Sequence, residues 1–296
     1  MDRNLQKSTI GYALIILATM LWGIAGPLAK HLFQIGILPT DLVQARVTYS
    51  FFILVMILGL FRRDLLKIDR KDIVYFLILG IGGFALVQWT YFFAINHLDV
   101  GIAIAIQYTA PTLIVIYSAL FLGKKIDVKT ILSVGLALIG CYLVIGAYEA
   151  EWEDLNWVGI LGAFSSAIVF AFYTLYSERG LAKYDAWTVF FYAVLFATIF
   201  WNIVHPPLVL MGQNLSWNTW GMVMAVAIIG TLIPFALFFM ALKRLDPIRL
   251  TVTSTLEPIF ATMIAFFTLG EALSPLQISG GLFIIISVIL MATANK

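Results

Sequence analysis

Ser254-Thr255-Leu256-Glu257-Pro258 lies midway along an apolar run from Pro247 to Leu269. A run of that length reaches across a bilayer, which takes ~20 apolar residues in a helix. A carboxylate at that depth costs ~3 kcal/mol on insertion scales. The proline that follows removes a backbone donor and disturbs a helix passing through it. Two unfavourable choices side by side at mid-span mark a candidate functional site, and the rest of the chain reads as its holder.

The rest has the same character. Of 296 residues, 62% are hydrophobic and 11% charged, whereas soluble domains carry about 25% charged residues. The apolar residues come in long blocks with no two-residue alternation, which points to helical spans and away from an outer-membrane barrel. The fold expected is an all-α membrane protein. A net charge of +2 gives no basis for nucleic-acid binding. Cys141 is the one cysteine; it sits in an apolar run, and no Cys/His cluster has metal-ligand spacing, so no cofactor or metal is expected. Arg3 and Lys7 precede the first apolar stretch as in a signal peptide. That stretch is of spanning length and others follow, so it reads as an uncleaved first span.

Ten transmembrane helices can be drawn: Thr9–Ala29, Leu42–Phe61, Ile73–Ile95, Val100–Leu122, Thr130–Ala147, Trp157–Ser177, Ala186–Val204, Thr219–Leu242, Pro247–Leu269 and Pro275–Thr293. An acidic break with Glu149, Glu151, Glu153 and Asp154 separates the fifth from the sixth. The loops are too short to hold a soluble catalytic domain. Basic residues set the orientation, because cytoplasmic loops carry the excess of Lys and Arg. Sixteen of eighteen fall on one face, from Arg3 and Lys7 through Arg62, Lys124, Lys183 and Lys243 to Arg249 and Lys296. Lys30 lies on the other face and Arg46 within the second span. Both termini are therefore expected in the cytoplasm. Trp152, Trp157, Trp217 and Trp220 fall near the outer boundaries, where indoles prefer to sit.

The chain also repeats. Pairing Asp99 with Asp246 brings Gly83 onto Gly230, Phe92 onto Phe239, Pro111 onto Pro258, Leu122 onto Leu269 and Gly123 onto Gly270. The division expected is two five-helix repeats, residues 1–148 and 149–296. An odd number of spans per repeat inserts the two in opposite senses. Inverted repeats place a substrate site near the midplane between them and support alternating access.

On these residues the chain resembles the drug/metabolite transporter superfamily, and within it the EamA type with ten spans. The likeness rests on Leu21-Trp22-Gly23, Lys30, Pro39, Arg46, Asp99-Val100-Gly101-Ile102-Ala103, Pro111 and Leu122-Gly123 in the first half. In the second half it rests on Leu256-Glu257-Pro258, Leu269-Gly270-Glu271 and Gly280-Gly281. The resemblance implies export of amino acids, nucleotide precursors, cations or other small metabolites, often with proton coupling. The chain departs from the family pattern at Lys124, where Glu271 keeps the usual acid; the exchange follows charge topology.

Three roles stay open for Glu257: proton carrier, counter-ion for a substrate ammonium, and structural acceptor between helices. Its repeat mate is Ala110, so one half alone supplies the acid. Arg46 has four candidate partners: Glu257, a substrate carboxylate, backbone carbonyls, or the outer headgroups by snorkelling. Pro111 and Pro258 are read as hinges or static kinks. Midspan polar and aromatic residues outline a substrate cavity: Gln88 and Tyr91, three apart on one helix face, Gln107 and Tyr108 one turn before Pro111, and Ser254 and Thr255 one turn before Pro258. Trp22 and Tyr173 add aromatic walls. Gly159, Ala163, Ala167 and Ala171 form a small-residue ridge for helix packing. His31, His97 and His205 read as solvated loop residues.

The class these features favour is a secondary active transporter for a small polar metabolite such as an amino acid or amine. It works by alternating access across the plasma membrane, in the export direction, with proton coupling as an option. The alternative is an uptake carrier or a facilitative channel. No P-loop offers ATP as the energy source, and no Gly-x-Ser-x-Gly motif or intramembrane histidine supports an enzyme. The expected partners are the small-molecule substrate, protons and the lipid bilayer, with the protein a monomer or weak dimer.

Overall fold

The computed structural model describes residues 3–149, 156–206, 210, 212–269 and 273–294. Every regular element among them is helical. Helix α1 (Arg3–Gln34) turns through Gly36, whose φ of +97° suits glycine, into α2 (Pro39–Phe61). Short 3-10 turns lead to α3 (Ile73–Ile78), a π-turn (Leu79–Ala85) and α4 (Leu86–His97). Then come α5 (Val100–Gln107), α6 (Ala110–Phe121) and α7 (Val128–Val144). The second part holds α8 (Trp157–Leu181), α9 (Ala186–Val204), α10 (Trp217–Ala227), a second π-turn (Ile228–Leu232) and α11 (Ile233–Leu242). It ends with α12 (Pro247–Ser254), α13 (Glu257–Leu269) and α14 (Pro275–Thr293).

Eight helices among the described residues are long and apolar enough to cross a membrane. Beside them stand α7, an apolar helix of 17 residues, and the run 247–269. That run is not one kinked helix. It is two helices, α12 and α13, meeting at Thr255-Leu256. The span over 100–122 divides in the same way, between α5 and α6 at Tyr108-Thr109. The two breaks are separated by the same sequence offset as Asp99 and Asp246, and the two π-turns overlap at that offset too. Each break has the same cause. Pro111 and Pro258 have no N–H to give to the preceding turn, so each sits in the first turn of a new helix, where none is needed. Pro234 likewise stands in the first turn of α11, directly after its π-turn. Pro27, by contrast, lies inside an unbroken α1.

Several helix starts are fixed by side chains that accept orphan N–H groups. Asp127, Asn156, Asp185, Ser216, Asp246 and Ser274 cap α7, α8, α9, α10, α12 and α14 in this way. Between the helices the packing interleaves the two parts of the chain. Helix α1 lies along α11 and α13, α4 along α8, α2 against α9 and α10, and α7 along α14. Glycine permits the closest approaches. A Cβ on Gly280 would stand 2.5 Å from the Val144 backbone nitrogen, and one on Gly140 would stand 2.8 Å from the Gly280 carbonyl. The ridge begun by Gly159 packs on α4 of the same molecule, where a Cβ on Gly159 would meet Leu98 at 2.7 Å. Phe52, Met56, Leu60, Leu120, Leu161, Phe267 and Ile289 are exposed on the outer surface of the bundle, the pattern of a lipid-facing belt.

One end of the bundle gathers the basic residues. Lys7, Lys124, Lys243 and Arg249 converge there. Lys183 joins Asp69 and, at 2.6 Å, Asp72; those two hydrogen-bonded carboxylates raise the Lys183 ammonium above the ordinary lysine range. Lys243 pairs with Asp185 at 3.1 Å, and Arg249 donates to the Ala294 carbonyl at 2.7 Å. At the opposite end Lys30 donates to the carbonyls of Ile95 and Leu98, at 2.7 and 2.8 Å, and so caps the C-terminus of α4. Trp157 and Trp217 are exposed at that end. The expectation that His205 is a solvated loop residue fails: its Nε2 donates to Asp41 at 2.5 Å, and Asp41 is 0% exposed. A buried carboxylate needs such a donor, and Gln213 supplies a second at 3.2 Å. Glu151, Trp152, Glu153, Asp154, Gly270, Glu271 and Lys296 lie outside the described residues.

Candidate functional site

At the level of the two helix breaks the bundle encloses a small cavity of about 50 Å³, room for a few waters at ~10–15 Å³ each on this measure. Every expected polar wall residue of the first half faces it: Gln88 and Tyr91 from α4, and Gln107 and Tyr108 from the end of α5. Trp22 of α1, Arg46 of α2 and Glu257 at the start of α13 complete the set. Apolar residues fill the gaps, with Val87 and Phe92 beside the α4 pair, Phe170 from α8 and Phe235 from α11. Sequence reasoning did not single these out, because an apolar wall of a cavity and an apolar core position look alike in a sequence.

Glu257 is 5% exposed. Being the first residue of α13, it sits where the helix dipole favours negative charge. The Tyr108 hydroxyl donates to its Oε2 at 2.7 Å. One hydrogen bond thus ties the end of α5 to the start of α13, which joins the two helix breaks. Gln107 donates to the Ser166 hydroxyl of α8 at 2.7 Å.

Arg46 is 3% exposed and does not snorkel. Its Nε donates to the Thr231 hydroxyl and its Nη2 to the Gly230 carbonyl at 2.5 Å. Both acceptors lie in the second π-turn, and the Gly230 carbonyl is open to an outside donor because Pro234, four residues on, has no N–H to give it. The guanidinium also stands 4.4 Å from the centre of the Phe92 ring, within cation–π range. Arg46 and Glu257 share the cavity, yet neither forms an ion pair among the described residues.

Three expected wall residues are placed elsewhere. Tyr173 is fully buried in an aromatic cluster, stacked on Phe238 at 5.6 Å with Phe84 and Phe235 around it. Ser254 and Thr255 are fully buried, and their hydroxyls bond back to the carbonyls of Leu250 and Val252, at 2.9 and 2.6 Å. Short hydroxyl side chains on a helix turn back to carbonyls three or four residues earlier in preference to reaching outward. Gln107 and Tyr108, their counterparts in the first half, are longer and reach the cavity. Pro111 and Pro258 are buried in the first turns of α6 and α13, behind the cavity wall.

A family model described as "EamA-like transporter family" matches residues 9–146 and again residues 157–293. The chain belongs to the EamA-like transporter family. An Archaeoglobus fulgidus protein named "Uncharacterized transporter" is 28% identical over 281 residues, 95% of each chain. The "Threonine/homoserine exporter RhtA" of Escherichia coli is 25% identical over 284 residues, covering 94% of this chain and 90% of that one. A solved crystal structure superposes with a TM-score of 0.74 at 22% identity, over 96% of both chains, and shares the fold. As an EamA-like protein the chain is a multi-pass membrane transporter of small solutes and not an enzyme.

Proposed function

We propose that this EamA-like protein is a secondary carrier that exports a small polar amino acid or amine across the plasma membrane. Its two repeats, residues 1–148 and 149–296, insert in opposite senses as ten spans, with the basic end in the cytoplasm. The observation that carries the reading is the cavity, where Glu257 and Arg46 stand buried and unpaired with each other at the joint of two broken helices. Buried charges of opposite sign that do not meet are costly unless something else completes them. Discontinuous helices around a midplane site are the usual architecture of carriers built from inverted repeats. In this reading the Glu257 carboxylate receives the substrate ammonium, and a proton takes its place on the return step.

A cavity of about 50 Å³ is too small for an amino acid. Binding therefore requires the walls to part, with the interleaved helices rocking around the Tyr108–Glu257 contact. The name of the Escherichia coli relative supports threonine and homoserine as first probes. With purified protein in liposomes, the reading predicts saturable counterflow of labelled threonine or homoserine, accelerated by unlabelled substrate inside. Ion current without saturable exchange would indicate a channel and contradict it.

A further inference from the structure

We propose that Arg46, Gln88 and Tyr91 form a carboxylate subsite, so that the protein selects zwitterionic amino acids and rejects the matching amines. The inference rests on the carrier reading above and narrows it. Three independent observations meet on one wall of the cavity.

The first is a buried cation without a counter-charge. A guanidinium stays protonated in any protein environment, and Arg46 has no acid within ion-pair distance among the described residues. Its neutral supports, Gly230, Thr231 and the Phe92 ring, hold it in place without neutralising it. Of its five N–H groups, those on Nη1 meet no acceptor among the described residues; the bonds run from Nε and Nη2.

The second is a pair of idle donors. The Nε2 of Gln88, a residue 3% exposed, and the hydroxyl of Tyr91 are both buried and have no hydrogen-bond partner among the described residues. Such groups are normally satisfied, and each exception calls for an explanation. Gln88 and Tyr91 stand three apart on α4, one face of one helix, and the next residue, Phe92, is the ring under Arg46. A single helix thus carries both idle donors and the platform for the cation.

The third is the close approach of α1 beside them. A Cβ on Gly26 of α1 would stand 3.1 Å from the Tyr91 hydroxyl. Glycine at that position lets α1 close over the hydroxyl, so a modest parting of α1 from α4 frees it to meet an acceptor.

An unpaired cation with two unsatisfied N–H or O–H donors matches a carboxylate, which accepts at several sites and takes a guanidinium in a fork. Glu257, held by Tyr108 and not in ion-pair contact with Arg46, matches an ammonium. One substrate carrying both groups completes both charges. An amine lacking the carboxylate leaves Arg46 and the two donors as they are, and a site whose polar groups stay unpaired rejects such an analogue.

The test is inhibition of threonine counterflow in liposomes by unlabelled threonine, by threonine amide and by 1-amino-2-propanol, the decarboxylated analogue. In the wild type, threonine is expected to inhibit at least about tenfold more strongly than either analogue. In Tyr91→Phe and in Gln88→Leu the gap to 1-amino-2-propanol should shrink to about threefold, because threonine weakens while that amine has no carboxylate for the missing donor. Arg46→Lys keeps the charge but loses the fork, and should also narrow the gap. Folding of each variant is checked by its elution from a sizing column in detergent, and two folded variants suffice. Equal inhibition by threonine and both analogues in the wild type, or a gap unmoved in folded variants, overturns the subsite and leaves the carrier reading standing. An absence of saturable counterflow for every amino acid and amine tried sinks the carrier reading, and the subsite with it.

Discussion

Glu257→Gln is expected to raise the KM for threonine about a hundredfold, the effect of losing ~2.7 kcal/mol of binding. Glutamine has nearly the same shape, and its carbonyl oxygen still accepts from Tyr108, so the link between α5 and α13 survives. What disappears is the charge. Hydrogen bonds to ionised groups are about twice as strong as neutral ones, and breaking a buried charge pair costs roughly 2–5 kcal/mol. If the same carboxylate carries the returning proton, the variant also loses uptake driven by a pH gradient, yet still exchanges substrate when both sides are saturated. A KM and a pH-gradient response both equal to wild type would remove Glu257 from the transport cycle and leave it a structural acceptor.

The second large effect is structural and comes with its own control. Gly280→Ala is expected to destabilise the protein by about 2–3 kcal/mol, while Gly281→Ala leaves it within ~0.5 kcal/mol. The two glycines are neighbours on α14. A Cβ on Gly280 would stand 2.5 Å from the Val144 nitrogen and 2.8 Å from the Gly140 carbonyl, both backbone atoms of α7 that cannot swing aside. At Gly281 nothing lies within 4 Å. The helices α7 and α14 must separate to admit the first methyl and need not notice the second. Thermal unfolding in detergent should show Gly280→Ala melting roughly 5–10 °C lower, at a few degrees per kcal/mol. Equal melting of the two variants would mean that α7 and α14 are less closely packed than described.

Much of this arrangement was legible in the sequence because it rests on strong local rules. Blocks of apolar residues of spanning length fixed the helices. Pro111 and Pro258, which cannot donate in a helix interior, marked where the two spans are disturbed, although as kinks or hinges and not as breaks. The cost of an acid at mid-span singled out Glu257. The register of Asp99 on Asp246 also relates the two breaks to each other, though neither break was read from it. What was hidden depends on tertiary context. A π-turn has no residue signature of its own, so the acceptors that hold Arg46 were invisible, and snorkelling looked as reasonable as burial. Tyr173 looked like Tyr91 in sequence; only the rings of Phe84, Phe235 and Phe238 around it decide that it packs. Ser254 and Thr255 matched Gln107 and Tyr108 in register, but their short side chains turn back on their own helix. Asp41 and His205 are far apart in the chain, and neither alone suggests a buried pair.

The polar seam to which Asp41 and His205 belong continues along α2 and α9. Gln44 donates to Asn202 at 2.9 Å, Asn202 donates to Thr48 at 2.8 Å, and Thr198 donates to the Val47 carbonyl at 3.1 Å. Hydrogen bonds between helices in lipid are worth on average about 0.6 kcal/mol each, so the seam holds α2 and α9 together by number and not by any one bond. It ties down α2, which carries Arg46, and leaves α1, α4, α5 and α13, which carry the other polar residues of the cavity, as the elements whose packing against it can change around the substrate.

Carriage by this route requires the cavity to open alternately to the two faces of the membrane. Val87 lines it, is buried, and is close to cysteine in size. With Cys141 replaced by alanine and Val87 by cysteine, the account predicts that a membrane-impermeant thiol reagent labels the protein from either face of sealed, oriented vesicles, and that bound substrate slows labelling from both. Labelling from one face only, whatever the substrate or its gradient, would contradict it.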